Sequence, residues 1–559
     1  MAKMTGAQFL ARFLELSGVQ HVFWVPAVLM GMLRELEGSN RVSRILAHSE
    51  KSAVYMADGY ARAGGRPSVC LAQKIGAANL AAGLKDPYLA CTPMVAIAGG
   101  ARAEFENRHV YQQIDDATAF EPVTKSRFHV AQVDVLPEVL RQAFRSATTG
   151  TPGPSFIEIA GHFAEVELDE GDLEMLIEER FQAIPAFRPV ANVEAMQATL
   201  DALSNAERPV IVAGGGVRAS GAGEAVLALA EKFSIPIATA MNAKDTIPGS
   251  HPLNVGVPGT YSRKSACEAL LETDLVFFIG SRTGSQVTAH WQLPPPGTAV
   301  IQLDIDGAEL GRHYPNQVSL QGDARATVEA MVAMAGEGEP ARHAAWAART
   351  AVFVAAWRDS FAELMASDAT PIRPERLCAE LTDWLPPDAI LVSDTGHSGM
   401  WTAGMIDLNH PGQSYLRAAG SLGWGFPAGI GAQLACPDRP VVVWTGDGGF
   451  WYHLTDLETA VRWNVPLITV VNNNSMLSQG VDGELANRGG KLEGNWGDAW
   501  EFTRSDFAAI ARSMGAEGIR VEDPGEIRAA FEKAREMGRP VVVDVVGDPW
   551  AQAPHTWLG

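Results

Sequence analysis

Short runs of β-branched and aliphatic residues recur along the whole chain, each followed by a longer amphipathic stretch, and they constrain the fold more than any other feature. The first third holds SVCLAQ (68–73), PMVAIAG (93–99) and PSFIEIAG (154–161). The middle holds PVIVAGGG (209–216), DLVFFIG (274–280) and AVIQLDID (299–306), and the last third AILVSDTG (389–396), PVVVWTGD (440–447), PLITVVNNN (466–474) and PVVVDVVG (540–547). Continuous apolar runs bury both faces of a strand, as in parallel sheets covered by helices on each side. A chain of 559 residues is too long for one core. The expectation is an α/β protein of three doubly wound parallel-sheet domains, at 1–182, 190–340 and 368–550. The stretch IPAFRPVANVE (184–194) and the Ala-rich, charge-rich stretch from about 335 to 370 read as linkers. GPSFIEIAG and GRPVVVDVVG look like the same closing strand, which suggests that the first and third domains are copies with a different one between.

The formal charge of -21 argues against a broad nucleic-acid surface, which needs clustered Lys and Arg. The five cysteines, Cys70, Cys91, Cys267, Cys378 and Cys436, show no C-x-x-C spacing and suggest neither a zinc site nor a disulfide framework. The opening MAKMTGAQFLARF has no signal-like apolar run, and no stretch has the length of a membrane span. Neither nucleic acid nor membrane is therefore an expected partner, and the expected location is the cytoplasm.

The stretch TGDGGF (445–450) follows the run Val441-Val442-Val443-Trp444, and NNNS (472–475) ends the next run. A glycine-rich turn between strand and helix is a phosphate cradle, because bare backbone amides approach an anion closely and the helix dipole favours negative charge. Leu454, Leu457, Ala460 and Val461 fit one face of that helix. Asp447 puts an anion where an anion should bind, and a divalent cation resolves the conflict. Mg²⁺ prefers oxygen ligands, so Asp447 and a diphosphate can share it, with Asn474 and the main-chain carbonyl of Met476 completing the set from the neighbouring strand. Gly446, Gly448 and Gly449 then supply the amide cradle. Strand ends on one edge of a parallel sheet are where such ligands gather.

GDG, then NN after an interval of this length, resembles the signature of the thiamine-diphosphate (ThDP) enzymes. The likeness runs over nearly the whole chain and is closest to the acetolactate synthase and benzaldehyde lyase group. It implies a pyrimidine-binding, a central and a diphosphate-binding domain, with ThDP and Mg²⁺ as cofactors. AHSEKSAVYMADGYARAGG is similar to the family's H-E-x-x-A with GYAR, so Glu50 matches the acid that protonates the pyrimidine ring. GSLGWGFPAGIGAQ (420–433) is similar to the stretch that bends the cofactor, which assigns the wedge to Leu422 and a pyrimidine-binding carbonyl to Gly420. SDTGHSGMW (393–401) resembles a diphosphate-contacting loop, with Gly396, His397 and Ser398 as contacts. In relatives the two halves of the site come from different subunits, implying a homodimer or homotetramer with sites at the interface.

Where substrate should bind, the sequence departs from familiar members. HVFWVPAVLM has Trp24 for the first glycine of a glycine-rich loop, and Leu29 stands where benzaldehyde lyase has an active-site histidine, with Val28 beside it. QKIGAAN (73–79) carries Lys74 in place of a glycine, and this lysine reads either as a contact to a substrate carboxylate or phosphate or as a solvent-facing residue. HVYQQIDD (109–116) keeps the family's Gln-x-x-Asp, which makes Gln112 a substrate contact and Asp115 a support for the loop. The Gly-rich, acidic stretch 478–502 reads as a mobile cover, with Gln479, Glu484 and Glu493 as subsidiary proton carriers. In the central domain PVIVAGGGVRASGAG, Asp304 and Asp306 resemble nucleotide-binding elements only weakly. FAD, or ADP and coenzyme A, would be the ligands there by resemblance, with Arg282 as contact. The leading expectation is a Mg²⁺- and ThDP-dependent carboligase or decarboxylase acting on 2-oxo acids or 2-hydroxy ketones. A 2-hydroxyacyl-CoA lyase or oxalyl-CoA decarboxylase acting on an acyl-CoA is the second, and a non-catalytic ThDP-binding subunit the third.

Overall fold

A computed structural model describes residues 2–105 and 107–554. All ten apolar runs form strands, distributed over three six-stranded parallel sheets. The first sheet has the spatial order Ser43–Leu46, His21–Trp24, Ser68–Ala72, Met94–Gly100, Pro154–Ala160, Ser126–Val130. The third runs Ser414–Arg417, Ile390–Ser393, Val441–Gly446, Ile468–Asn473, Val541–Val546, Glu517–Val521. Counted along the chain, both follow the order 2-1-3-4-6-5, and the two look-alike closing strands hold the same place. The second sheet runs Asn254–Gly256, Ile237–Thr239, Pro209–Ala213, Leu275–Ile279, Ala299–Asp304, Val318–Gln321, an order of 3-2-1-4-5-6. That is the doubly wound order with a reversal between its first and fourth strands. A two-stranded antiparallel pair, Ala2–Thr5 with Glu170–Leu173, lies outside these sheets. Among the described residues no helix is long and apolar enough to cross a membrane, and no disulfide joins the five cysteines.

The described chain forms two compact units. The first holds the chain up to Phe187 together with Ala419–Asp438 and His453–Val465; the second holds Arg188–Ala418, Arg439–Tyr452 and the chain from Pro466 on. The supposed linker at 335–370 is largely the 22-residue helix Ala344–Met365, whose Trp346, Thr350 and Trp357 are buried. Its alanines give it high helix propensity, so a stretch that looked like a composition break is regular structure.

In the first unit the helix Glu50–Gly64 packs on the helix Gly425–Ala435 with almost no space between backbones. A Cβ on Gly431 would overlap the Met56 carbonyl, and one on Gly59, the glycine of GYAR, would overlap the Ala428 carbonyl. In the second unit Lys244 is buried and donates to the Ala403 carbonyl at 2.7 Å. Burial, reinforced by the nearby Arg263 charge, lowers its pKa to about 7.

Two outcomes follow for stability. Gly431→Ala should force the helices apart and cost about 3 kcal/mol or more, read as a fall in the chemical-unfolding midpoint. Lys244 holds its proton in the unfolded chain up to about 10 and loses it above about 7 when folded, so its penalty is complete below pH 7 and fades as pH rises toward 10. Lys244→Met should therefore raise the urea midpoint at pH 6.5, with a much smaller gain at pH 9.5.

Candidate active site

Three adjacent strands of the third sheet, Ile390–Ser393, Val441–Gly446 and Ile468–Asn473, end on one edge, and the segments leaving them meet there. The helix of the glycine-rich turn begins at Asp447 itself. It ends at His453, and a tight turn at Leu454–Asp456 precedes the helix Leu457–Arg462. The expected single amphipathic helix is thus broken, and Leu454 sits in the break. Gly448 and Gly449 lie close against neighbouring side chains: a Cβ on Gly448 would lie 2.6 Å from Leu477 and one on Gly449 2.8 Å from Thr445 Oγ1, so a larger residue at either would make these side chains shift.

Asp447 is 2 % exposed. Its Oδ1 accepts the Gly448 amide at 2.6 Å, while its buried Oδ2 has no hydrogen-bond partner among the described residues. Burial raises its pKa to about 6, with the nearby backbone N–H groups of Gly448, Ser475 and Met476 opposing. The three asparagines have separate tasks. Asn472 turns its side-chain oxygen toward Gly547, and Asn473 donates to Asp544 and to the Ser505 carbonyl, both at 2.8 Å. Asn474 accepts the Met476 amide at 3.1 Å and donates to Ser478 Oγ at 3.0 Å. Ser475 between them has φ +58, which turns the chain back toward Asp447. An unpartnered buried carboxylate oxygen, an amide oxygen and a main-chain carbonyl make an all-oxygen donor set that fits Mg²⁺.

The third segment starts the helix His397–Gly404, with Gly396 before it at φ +67. Its first amides have no acceptor inside the helix, so an anion is the natural partner. His397 Nδ1 lies 3.0 Å from Ser478 Oγ, the same hydroxyl that receives Asn474. Ser398 is buried and faces Gly446. The His397 loop and Asn474 are therefore joined through Ser478.

The first unit holds the other candidates. Glu50 opens its helix behind the capping Ser49, half-buried. Asn79 donates to its Oε2 at 3.0 Å, and a Cβ on Gly76 would collide with the Glu50 carboxylate. The QKIGAAN loop thus holds and confines this acid. Gly420 lies in a backbone segment clamped by one buried side chain, since Asp86 accepts from the amides of Ala419 (2.6 Å), Gly420 (3.2 Å) and Ser421 (2.8 Å). Leu422 next to it is half-buried rather than part of a core.

Sequence reasoning missed the network behind this clamp. Arg62 bridges Asp58 at 2.7 Å and Asp86 at 3.4 Å, and its guanidinium lies 4.7 Å from the Trp424 ring centroid. Trp424 in turn donates its indole N–H to Asp58 at 2.8 Å. Burial raises the Asp58 pKa, with Arg62 opposing. The arginine of GYAR and the tryptophan of GWG were visible as motif residues, but their pairing across more than 350 positions was not.

The solvent-facing reading of Lys74 is overturned: the side chain is 2 % accessible and paired with Asp116 at 2.7 Å and Glu158 at 2.8 Å. Burial pulls its pKa down, and the two carboxylates outweigh that and hold it above the ordinary lysine value. Asp116, not the exposed Asp115, is the acid that anchors the loop. Gln112 has φ +59, and its side-chain oxygen accepts from Gln73 at 2.9 Å. Val28 and Leu29 are fully buried in the core of the first sheet.

The stretch 478–502 contains the helix Val481–Asn487, and both ends are tied, with Leu477 donating to Trp500 and Phe502 to Ser475, each at 2.8 Å. Gln479 is exposed and donates to Tyr261, Glu484 pairs with Arg488, and Glu493 is exposed. In the central sheet the glycine-rich turn spends its amides within the fold: Gly214 on Ile279, Gly216 on Gly280 and Val217 on Gly214. Asp306 caps a short turn through the Ala308 amide, Asp304 accepts the Asp306 amide, and Arg282 lies 3.9 Å from Glu309.

Three family models match the chain: "Thiamine pyrophosphate enzyme, N-terminal TPP binding domain" over residues 4–120, the central domain over 196–331, and "C-terminal TPP binding domain" over 394–545. The chain is 31% identical to the probable acetolactate synthase large subunit of Methanocaldococcus jannaschii, over 99% of this chain and 93% of that one. It is 31% identical to the acetolactate synthase large subunit of Corynebacterium glutamicum, over 98% of this chain and 87% of the relative. It is 29% identical to acetolactate synthase isozyme 2 large subunit of Escherichia coli, over 99% and 98%. Matched over nearly its full length by such relatives and by all three family models, the chain belongs to the thiamine pyrophosphate enzyme family.

Proposed function

We propose that the chain is a Mg²⁺- and ThDP-dependent enzyme that makes or breaks the carbon–carbon bond beside the carbonyl of a 2-oxo acid or 2-hydroxy ketone, with acetolactate-synthase-like carboligation as its nearest reaction. The observation that carries this reading is Asp447, a buried carboxylate with one oxygen unpartnered, on the strand edge shared with Asn474 and Met476. Residues 1–182 are assigned the pyrimidine, 368–550 the diphosphate, and 190–340 a central domain whose glycine turn gives no support to a bound FAD, ADP or coenzyme A.

Asp447, the side-chain oxygen of Asn474 and the Met476 carbonyl would hold the metal. The amides around Gly396–Ser398 and Gly446–Gly449 would receive the diphosphate. Glu50 would share its proton with the pyrimidine, Gly420 would offer its carbonyl to the same ring, and Leu422 would wedge the cofactor bent. When bound, ThDP supplies the electron sink for the charge left as the adjacent bond breaks. Asn79 and Gly76 keep the Glu50 carboxyl in one orientation, which proton sharing demands. With the two halves of the site drawn from different subunits, the working unit is a homodimer or homotetramer, checked by light scattering on the eluted protein.

The test is to load the purified protein with ThDP and Mg²⁺, desalt it, and screen 2-oxo acids and acyloins for released CO₂ and new products by mass spectrometry. Glu50→Gln should lower turnover by about 10²-fold or more, with the folded state kept. Asp447→Asn should abolish Mg²⁺-dependent retention of ThDP on the column. Wild-type turnover in Glu50→Gln, or full retention of both cofactors in Asp447→Asn, would contradict the assignment.

A further inference from the structure

His162, which the chemistry above does not use, lies just past the C-terminal end of a strand in the first sheet. It follows the strand Pro154–Ala160 in a turn held on several sides. The Gly161 carbonyl accepts from Gly100 at 2.9 Å and from Ala164 at 2.8 Å, and the Phe163 carbonyl accepts from Leu29 at 3.1 Å. The imidazole packs on Phe163, with ring centroids 4.4 Å apart, and on Tyr111 at 5.7 Å. Its orientation is therefore set by backbone and packing, independently of any ligand.

Gln73 Nε2 lies 3.1 Å from His162 Nε2 and 2.9 Å from Gln112 Oε1. An amide N–H bonding to Nε2 makes that atom the acceptor, so the ring is neutral and its proton is on Nδ1. That N–H is buried and has no acceptor among the described residues. An unmet buried donor is costly, and a ligand oxygen would remove that cost.

Gln73, Gln112 and His162 leave the ends of three neighbouring strands, Ser68–Ala72, Met94–Gly100 and Pro154–Ala160. Gln73 belongs to the same QKIG loop whose Gly76 confines Glu50. Gln112 holds its left-handed backbone, an arrangement rare outside glycine that tends to occur where function needs it. Lys74, the obvious cation for an anionic substrate, is occupied by Asp116 and Glu158.

Resting on the carboligase or decarboxylase reading, we propose that His162 is a specificity-determining residue: its neutral imidazole donates Nδ1–H to an oxygen of the 2-oxo substrate, with Gln73 fixing the tautomer. The imidazole keeps its proton, so its effect falls on substrate binding.

The ThDP- and Mg²⁺-loaded enzyme tests this with three variants. His162→Phe keeps the ring stack and removes the donor; it should raise KM for pyruvate about tenfold while kcat, unfolding midpoint and ThDP retention change little. His162→Asn places an amide nitrogen at the Nδ1 position and should recover most of the loss, whereas His162→Gln, with its amide at the Nε2 position, should not. Competition by 2,3-butanedione, which has carbonyls and no carboxylate, locates the oxygen. Weakening of both ligands in His162→Phe assigns it to the carbonyl, and weakening of pyruvate alone assigns it to the carboxylate. A wild-type KM in His162→Phe, or no recovery in His162→Asn, overturns the proposal while leaving the proposed function intact. Should the wild type turn over neither 2-oxo acids nor acyloins, that function fails, and calorimetric binding of pyruvate to the loaded protein still decides His162: about tenfold weaker binding in His162→Phe supports it, and equal or absent binding overturns it.

Discussion

A carboxylate taken out of water must be neutralised by a proton or compensated by a cation, and Asp447 is buried with one oxygen left unmet. Everything on the third sheet's edge is consistent with the second solution. The glycines after Asp447 leave room for close backbone approach, the αL turn at Ser475 brings the Met476 segment back to it, and Ser478 ties Asn474 to the His397 loop. In the proposed donor set Asp447 supplies the charge and Asn474 and Met476 supply neutral oxygens, a balance suited to a small hard cation that also carries phosphate oxygens.

Positioning in the first unit depends on a different device. Asp86 grips three consecutive amides, and the Arg62 guanidinium beside it both offsets its charge and stacks on Trp424. The segment carrying Gly420 and Leu422 is thereby fixed to the same helix pair that presents Glu50, whose close approach is allowed by Gly59 and Gly431. Buried ion pairs of this kind contribute little net stability, because the cost of taking the charges out of water offsets their attraction.

Most inner strands were readable because burial on both faces leaves an unbroken apolar run, whereas the short inner strands His21–Trp24 and Ile237–Thr239 lay outside the runs. The edge strands were less so: Ser126–Val130 and Glu517–Val521 keep much of their length half-exposed and mix charge with apolar residues. The cofactor-facing candidates were legible as motifs at strand ends. Lys74 was not, because a lone cation in a loop says nothing about whether carboxylates 42 and 84 positions away will enclose it. Asp86 and His162 carried no local pattern, and their roles arise from contacts made only after the chain has folded. The 344–365 helix shows the opposite case, where composition suggested a break and local propensity decided otherwise.

The shared 2-1-3-4-6-5 order allows the first and third sheets to be compared strand by strand. Glu50 and the Gly420–Leu422 segment both follow the second strand of their sheet, Gln112 and Asn474 both follow the fourth, and the QKIG loop and Asp447 both follow the third. At that third-strand position one copy carries a lysine already surrounded by two acids, and the other an acid with an open oxygen. On the proposed function the twin folds divide the labour of charge: one has internalised its counter-ion as a side chain and is self-sufficient, while the other would import it, its completion then conditional on what the surrounding solution supplies.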